Sequence, residues 1–334
     1  MYQPAANADQ LRLSTPTVVL LLVVLGLLAI AFVVGQVLKR QPESTVNPAV
    51  VQAFNRRILV WWMMCAILVF GFLLGYYATV VLFGLVSFVA LREFITVTPT
   101  RRADHRTLFW VFFVFTPLQY IILLIGLELD DHYRLFSITI PVYAGLFIPA
   151  RIAFSGDYRR FLERSAKILI GLSICVYSLS HAPALLALDL QTSDDRYWEG
   201  SRLGLLFYFV LVVQMGDVFQ SRWSLLRGRT VIAPEPNASR TWEGFFGGLV
   251  STTLLGTLLW WVTPFSFWES AFMSAVLAVM GFAGSMTMSA IKRDRGVKDY
   301  GTLVEGHAGV LDRIDSICFA APVFFHLTRC FFSG

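Results

Sequence analysis

Between Ser289 and Asp315 the chain gathers five Lys or Arg side chains and five Asp or Glu. Lys292, Arg293, Lys298 and Arg313 are cations of the kind that hold polyphosphate oxygens. Asp299, Asp312 and Asp315 offer the carboxylate oxygens that a hard divalent cation takes. Asp312 and Asp315 stand three apart ahead of an apolar run, and at helical spacing they share one face. Taken alone, such a pair is a solvated helix cap. At the edge of a membrane span, where an unpaired acid is costly, it becomes a candidate metal site. Lys292-Arg293 taken alone is a helix-end anchor. The chain has four lysines, however, and Lys292 and Lys298 both fall in this segment, which favours phosphate contacts. His307, in Gly306-His307-Ala308-Gly309, lies among small residues that let backbone approach a ligand; by itself its ordinary role is structural hydrogen bonding.

A second polar island, Asn237 to Gly248, precedes an apolar run. Ser239 or Thr241 followed by Glu243 suits a helix start, whose free amides favour anions. Arg240, Thr241 and Glu243 are the candidate substrate-binding residues there. Gly244, Gly247 and Gly248 equally suit close helix packing. Asp217 lies inside an apolar run, where an acid either pairs with a nearby arginine such as Arg222 or faces a polar cavity.

The elements that must position these residues are membrane helices. The 334 residues are 56% hydrophobic and 15% charged. Soluble domains carry about one-quarter charged residues, so the composition predicts an all-α, polytopic integral membrane protein. Apolar runs predict ten spans, at 17–38, 58–75, 76–95, 107–127, 135–150, 168–190, 203–220, 244–263, 270–291 and 316–332. The double-length run is split at Gly75-Tyr76-Tyr77, and the run at 135–150 is short and holds Pro141 and Pro149. Alternate connections carry 22 of the 27 Lys and Arg residues. The positive-inside bias therefore puts the basic loops in the cytoplasm and both termini outside. The charged segment and Asp217 then share the cytoplasmic face. Cys65, Cys175, Cys318 and Cys330 are scattered through apolar runs and read as small core residues. The organisation expected is an N-terminal multispan region, 1–200, and a catalytic region, 201–334.

Together these stretches resemble the phosphatidate cytidylyltransferase family, the CDP-diacylglycerol synthases. The family's C-terminal signature is matched in register at Ser289, Lys292, Arg293, Lys298, Asp299, Gly301, His307, Gly309, Asp312, Arg313 and Asp315. Its Thr-Trp-Glu-Gly stretch is matched at Thr241, Trp242, Glu243 and Gly244, with Arg240 for a lysine. The similarity covers about the C-terminal third; the front of the chain agrees only in being multispan. The chain departs from the family pattern where Ser285 replaces an Asp, Met288 a Glu, Val304 an apolar residue, Glu305 a small residue or Pro, Ala308 a Gly, and Asn237-Ala238 a Ser-Pro.

The resemblance implies transfer of a cytidylyl group from CTP to phosphatidate. Asp217, Asp299, Asp312 and Asp315 would then bind Mg²⁺, with a second cation left open. Lys292, Arg293, Lys298, His307 and Arg313 would act on the phosphates. It implies a bacterial inner-membrane enzyme with no nucleic-acid partner; a homodimer is left open. Nucleotidyl transfer to another lipid phosphate and a non-catalytic lipid-binding homologue are the alternatives. A transporter fits less well, because the charges gather in connections and no inverted repeat is visible. The Asp-Gly-x-x-Ala-Arg pattern of CDP-alcohol phosphotransferases is absent.

Overall fold

The computed structural model describes residues 13–40, 48–98, 100–126, 130–192, 197–297, 300 and 309–333. Among the described residues ten longer helical segments follow in chain order, beginning with α1 (Thr15–Lys39), α2 (Pro48–Leu74), α3 (Tyr76–Val97), α4 (Arg102–Ile125) and α5 (His132–Ala153). The remaining five are α6 (Phe161–Ala187), α7 (Arg202–Arg227), α8 (Trp242–Leu258), α9 (Phe267–Asp294) and α10 (Leu311–Phe332). Among the described residues eight helices are long and apolar enough to cross a bilayer. The other two are α2, whose apolar part is Trp61–Leu74, and α8, 17 residues or about 25 Å long. The protein is an all-α polytopic membrane protein.

The expected break between the second and third spans falls at Gly75, whose φ of 88° is a conformation that a residue with a Cβ rarely adopts. The run with two prolines is helical throughout but is not a regular α-helix. Thr139–Ala144, which includes Pro141, forms a π-turn. Similar π-turns at Val111–Phe115 and Ser173–Ser178 pack beside it, so α4, α5 and α6 meet where each is widened.

Helix α7 is the axis of the C-terminal half and packs on α8, α9 and α10. Every residue from Arg202 to Val213 is buried. Phe209 stacks on Phe324 of α10 at 5.1 Å between ring centres. The crossing with α8 is set by glycines. A Cβ on Gly248 would lie 2.2 Å from Gln220 Cγ and 2.8 Å from Gln220 Cα, so the two backbones touch. The buried core continues from Leu20 of α1 to Phe332 of α10. Three of the four cysteines lie in it; Cys330 is exposed, against expectation, because it falls on the outer face of α10.

Two arginines counted among the loop charges are themselves buried and paired with acids. Arg164 at the start of α6 donates through Nε at 3.0 Å to both oxygens of Asp104. Arg202 Nη2 meets Asp189 Oδ1 at 2.6 Å. A two-stranded antiparallel hairpin, β1 (Val231–Ala233) and β2 (Ala238–Thr241), links α7 to α8 and delivers Arg240 to the bundle.

Candidate active site

At one end of the bundle the C-terminal halves of α3, α7 and α9 meet the N-termini of α8 and α10. Local sequence fixes each approach. Thr241 caps α8, its Oγ1 accepting from the Gly244 amide at 3.1 Å. Glu243 reaches back to the hairpin and accepts from the amides of Arg229 and Thr230 at 3.1 and 3.2 Å. The hairpin is thereby held, and Arg240 leaves β2 pointing inward, 9% exposed.

The Arg240 guanidinium ties the hairpin to two helices, α7 and α9. Nη2 donates to Ser285 Oγ of α9 at 2.8 Å and to Asp217 Oδ1 of α7 at 3.3 Å. Nη1 donates to Gln220 Oε1 at 3.4 Å. The acid within the apolar run of α7 is therefore paired with Arg240 of the hairpin, not with Arg222 beside it in sequence. Ser285 stays at the site as an acceptor for this arginine. It is linked along α9 to Ser289, whose hydroxyl donates to the Ser285 carbonyl at 2.8 Å and accepts from Asn237 Nδ2 at 3.0 Å.

The second oxygen of Asp217 accepts a hydrogen bond from the Ser316 hydroxyl of α10. That hydroxyl also lies 3.2 Å from Asp315 Oδ1, which accepts from the Ser316 amide at 2.7 Å. Two half-buried carboxylates thus converge on one hydroxyl. Asp315 has no Lys or Arg in contact among the described residues. The Arg240 guanidinium offsets one of these two like charges, and the oxygens of Asp217 and Asp315 are of the kind a hard divalent ion takes. Among the described residues no three acids, histidines or cysteines gather as a metal cluster, and the fit rests on Asp217 and Asp315.

Asp312 has other partners. Oδ1 accepts from Lys292 Nζ at 2.9 Å, and Oδ2 from the amides of Tyr300 and Gly309 at 2.9 and 3.2 Å. It ties Lys292 at the end of α9 to Tyr300 and Gly309 of the connection to α10. Tyr300 is buried, stacks on Phe94 at 6.3 Å, and lies under Lys292, whose Nζ is 5.6 Å from its ring centre. Burial, and then the charge of Asp312, push the phenol far up, so it stays a neutral donor to the Met288 carbonyl at 3.2 Å.

Of the remaining candidates, Arg293 is exposed and Arg313 half-buried, and neither is paired with a carboxylate among the described residues. The Arg313 carbonyl accepts from Gln214 Nε2 at 2.7 Å, which joins α10 to α7. Lys298, Asp299 and His307 lie outside the described residues, as do Glu305 and Ala308.

Sequence reasoning missed Glu93. This acid of α3, 5% exposed, accepts from the amides of Val310 and Leu311 at 3.0 and 2.8 Å. It satisfies the free amides where α10 begins. Its signal was present: it is the single acid in the 22 residues of α3. Ser316 and Gln220 were missed as well, and nothing in an isolated Ser or Gln marks it as a site residue.

The sequence model of the cytidylyltransferase family matches residues 55–331. The chain is 34% identical over 279 residues to the uncharacterized protein YnbB of Escherichia coli K12, an alignment covering 82% of this chain and 86% of that protein. It is 33% identical over 124 residues to the phosphatidate cytidylyltransferase of Synechocystis, covering 36% of this chain and 41% of that protein. To the phosphatidate cytidylyltransferase of Rickettsia bellii it is 27% identical over 196 residues, covering 56% of this chain and 80% of that protein.

Proposed function

The chain belongs to the cytidylyltransferase family, and from that membership we propose that it transfers the cytidylyl group of CTP to phosphatidate, giving CDP-diacylglycerol and pyrophosphate. The observation that carries this reading is the meeting of Asp217, Arg240, Ser316 and Asp315 beside the Lys292–Asp312 pair at one end of the bundle. Relatives named phosphatidate cytidylyltransferase support the choice of acceptor.

In this reaction an oxygen of the lipid phosphate bonds to the α-phosphorus of CTP. The bond from that phosphorus to the α–β bridging oxygen breaks, and pyrophosphate leaves with the electron pair. A phosphate monoester with a second pKa of about 6 is already largely dianionic at neutral pH, so no strong general base is required. The work is to bring two anions together and to stabilise charge on the leaving group. Arg293, Arg313 and Lys298 are the cations available for the triphosphate and the lipid phosphate, together with Lys292, which Asp312 holds in place. His307 orients a phosphate. Asp217 and Asp315, with Asp299 as a further carboxylate of the signature, would hold Mg²⁺, which when bound supplies charge neutralisation on the triphosphate. Asp312, engaged by Lys292 and two backbone amides, would join them only by giving up one of those contacts. Arg240 keeps Asp217 in place, and Thr241 and Glu243 keep Arg240 in place.

We assign the site to the cytoplasmic face of the bacterial inner membrane, where CTP is found and to which the basic connections belong. Both termini then lie outside. Transfer to another lipid phosphate is the second reading, favoured by the extent of the alignments: 82% of this chain aligns with YnbB but 36% with the Synechocystis enzyme. The test is a panel of acceptors. Purified protein is incubated with α-³²P-CTP, Mg²⁺ and phosphatidate, or with another lipid phosphomonoester in its place, and label in the lipid phase is measured. Label on phosphatidate with one pyrophosphate per lipid supports the first reading. Label on another acceptor alone supports the second, and no label on any acceptor refutes both.

A further inference from the structure

A cleft of 660 Å³ lies between α7 and α8; its lining holds neither Asp217 nor Arg240 and shares with the site described above only Glu243, which acts there through its bonds to the hairpin. Leu226, in its wall, stands nine residues beyond Asp217 on α7. That is roughly two and a half turns, which puts the two on opposite faces of the helix. The floor of the cleft is Gly247, where a Cβ would lie 2.5 Å from the Trp223 ring, so the indole rests on the α8 backbone. Trp223 Nε1 donates to Ser251 Oγ at 3.0 Å, which fixes the ring. The Arg227 guanidinium stands 5.6 Å from the centre of that ring, and Arg229 also lines the cleft. Both arginines are exposed, and neither meets a carboxylate among the described residues. The acid in the lining, Glu243, is already occupied by the amides of Arg229 and Thr230.

On the neighbouring face of α8, one residue round from the Glu243 and Gly247 of the lining, runs an apolar stripe. Trp242, Phe246, Val250, Leu254 and Leu258 follow one another at four-residue spacing, and each is between 46% and 70% exposed. Leu226, at the mouth itself, is 76% exposed.

We propose that this cleft is a binding site for an anionic phospholipid, distinct from the reaction site. Its phosphate lies between Arg227 and Arg229 and its acyl chains lie along the α8 stripe. Guanidinium groups recognise phosphate oxygens through paired N–H donors, and the fixed indole holds one of them at the boundary between apolar and polar surface. A free phosphate would gain nothing from the stripe, and a zwitterionic lipid would bring its own cation against the arginines.

The probe is phosphatidylglycerol, whose phosphate is already a diester and so is no acceptor in the proposed reaction. Native mass spectrometry of the full-length protein in detergent counts bound phosphatidylglycerol against bound phosphatidylcholine. No CTP or turnover is involved, so the outcome is independent of the proposed activity. Basic residues at a membrane surface each favour anionic lipid enough that wild type should retain phosphatidylglycerol on the order of tenfold over phosphatidylcholine. Arg227→Gln/Arg229→Gln should abolish that preference. Arg159→Gln/Arg160→Gln, which removes the same charge from another exposed connection, should keep it. The proposal is overturned if wild type shows no preference, if the cleft variant retains it, or if both variants lose it equally. Displacement of the lipid by equimolar glycerol 3-phosphate would also overturn it, since the site would then read the phosphate alone.

Discussion

Glu93 Oε2 accepts the Leu311 amide at 2.8 Å, so an acid of the third helix forms the N-terminal cap of the tenth. Its other oxygen takes the Val310 amide. Asp312 and Asp315 lie in the turn that follows, and their placement depends on this cap. Glu93→Ala leaves one buried and one half-buried amide without acceptors, at a cost of about 2 kcal/mol. Thermal unfolding in detergent should show a lowered midpoint, with Glu93→Gln, which keeps one acceptor oxygen, falling between the two.

The Arg240–Asp217 pair predicts a different pattern. Removing one partner of a fully buried pair costs about 3–5 kcal/mol. Here the Asp217 side chain is 24% exposed, so solvent screens part of the loss. Arg240→Ala should therefore destabilise by about 2 kcal/mol and reduce turnover, because Asp217 is no longer held. Arg240→Lys keeps the charge but cannot bridge Ser285, Asp217 and Gln220 together. Its stability should exceed that of Arg240→Ala, while its turnover stays below wild type.

Much of the architecture was legible in the chain because a bilayer leaves few options: apolar runs of sufficient length must be helices. The split at Gly75 followed from length and the helix start at Trp242 from Thr241 and Glu243. What was not legible was pairing across distant helices. Asp217 sits five residues from Arg222 and 23 from Arg240, and sequence proximity pointed to the wrong arginine. Only the fold of the β-hairpin brings Arg240 in. Asp312, likewise, has the spacing of a metal ligand with Asp315, yet in the structure Lys292 and two backbone amides engage both of its oxygens. Arg164 and Arg202 entered the sequence reading only as loop charges, and nothing in the chain marks that both are buried against acids.

Glycine packing gives a paired prediction. At Gly248 a Cβ would meet backbone, Gln220 Cα at 2.8 Å, which cannot rotate aside. Gly248→Ala should push α8 from α7 and destabilise by about 1–3 kcal/mol. At Gly26 of α1 a Cβ would meet nothing within 4 Å. Gly26→Ala should be neutral, or stabilise by up to about 1 kcal/mol through helix propensity. The difference between their unfolding midpoints separates close packing from a general intolerance of substitution.

The central claim is that the carboxylates converging on Ser316 serve cytidylyl transfer. It is tested most directly by the initial rate of label transfer from α-³²P-CTP to phosphatidate, with saturating Mg²⁺, in wild type and Asp315→Asn. The substitution keeps shape and removes charge. A loss of about 10²-fold or more in kcat, with the unfolding midpoint unchanged, is the expected result. Equal rates in the two proteins would contradict the account.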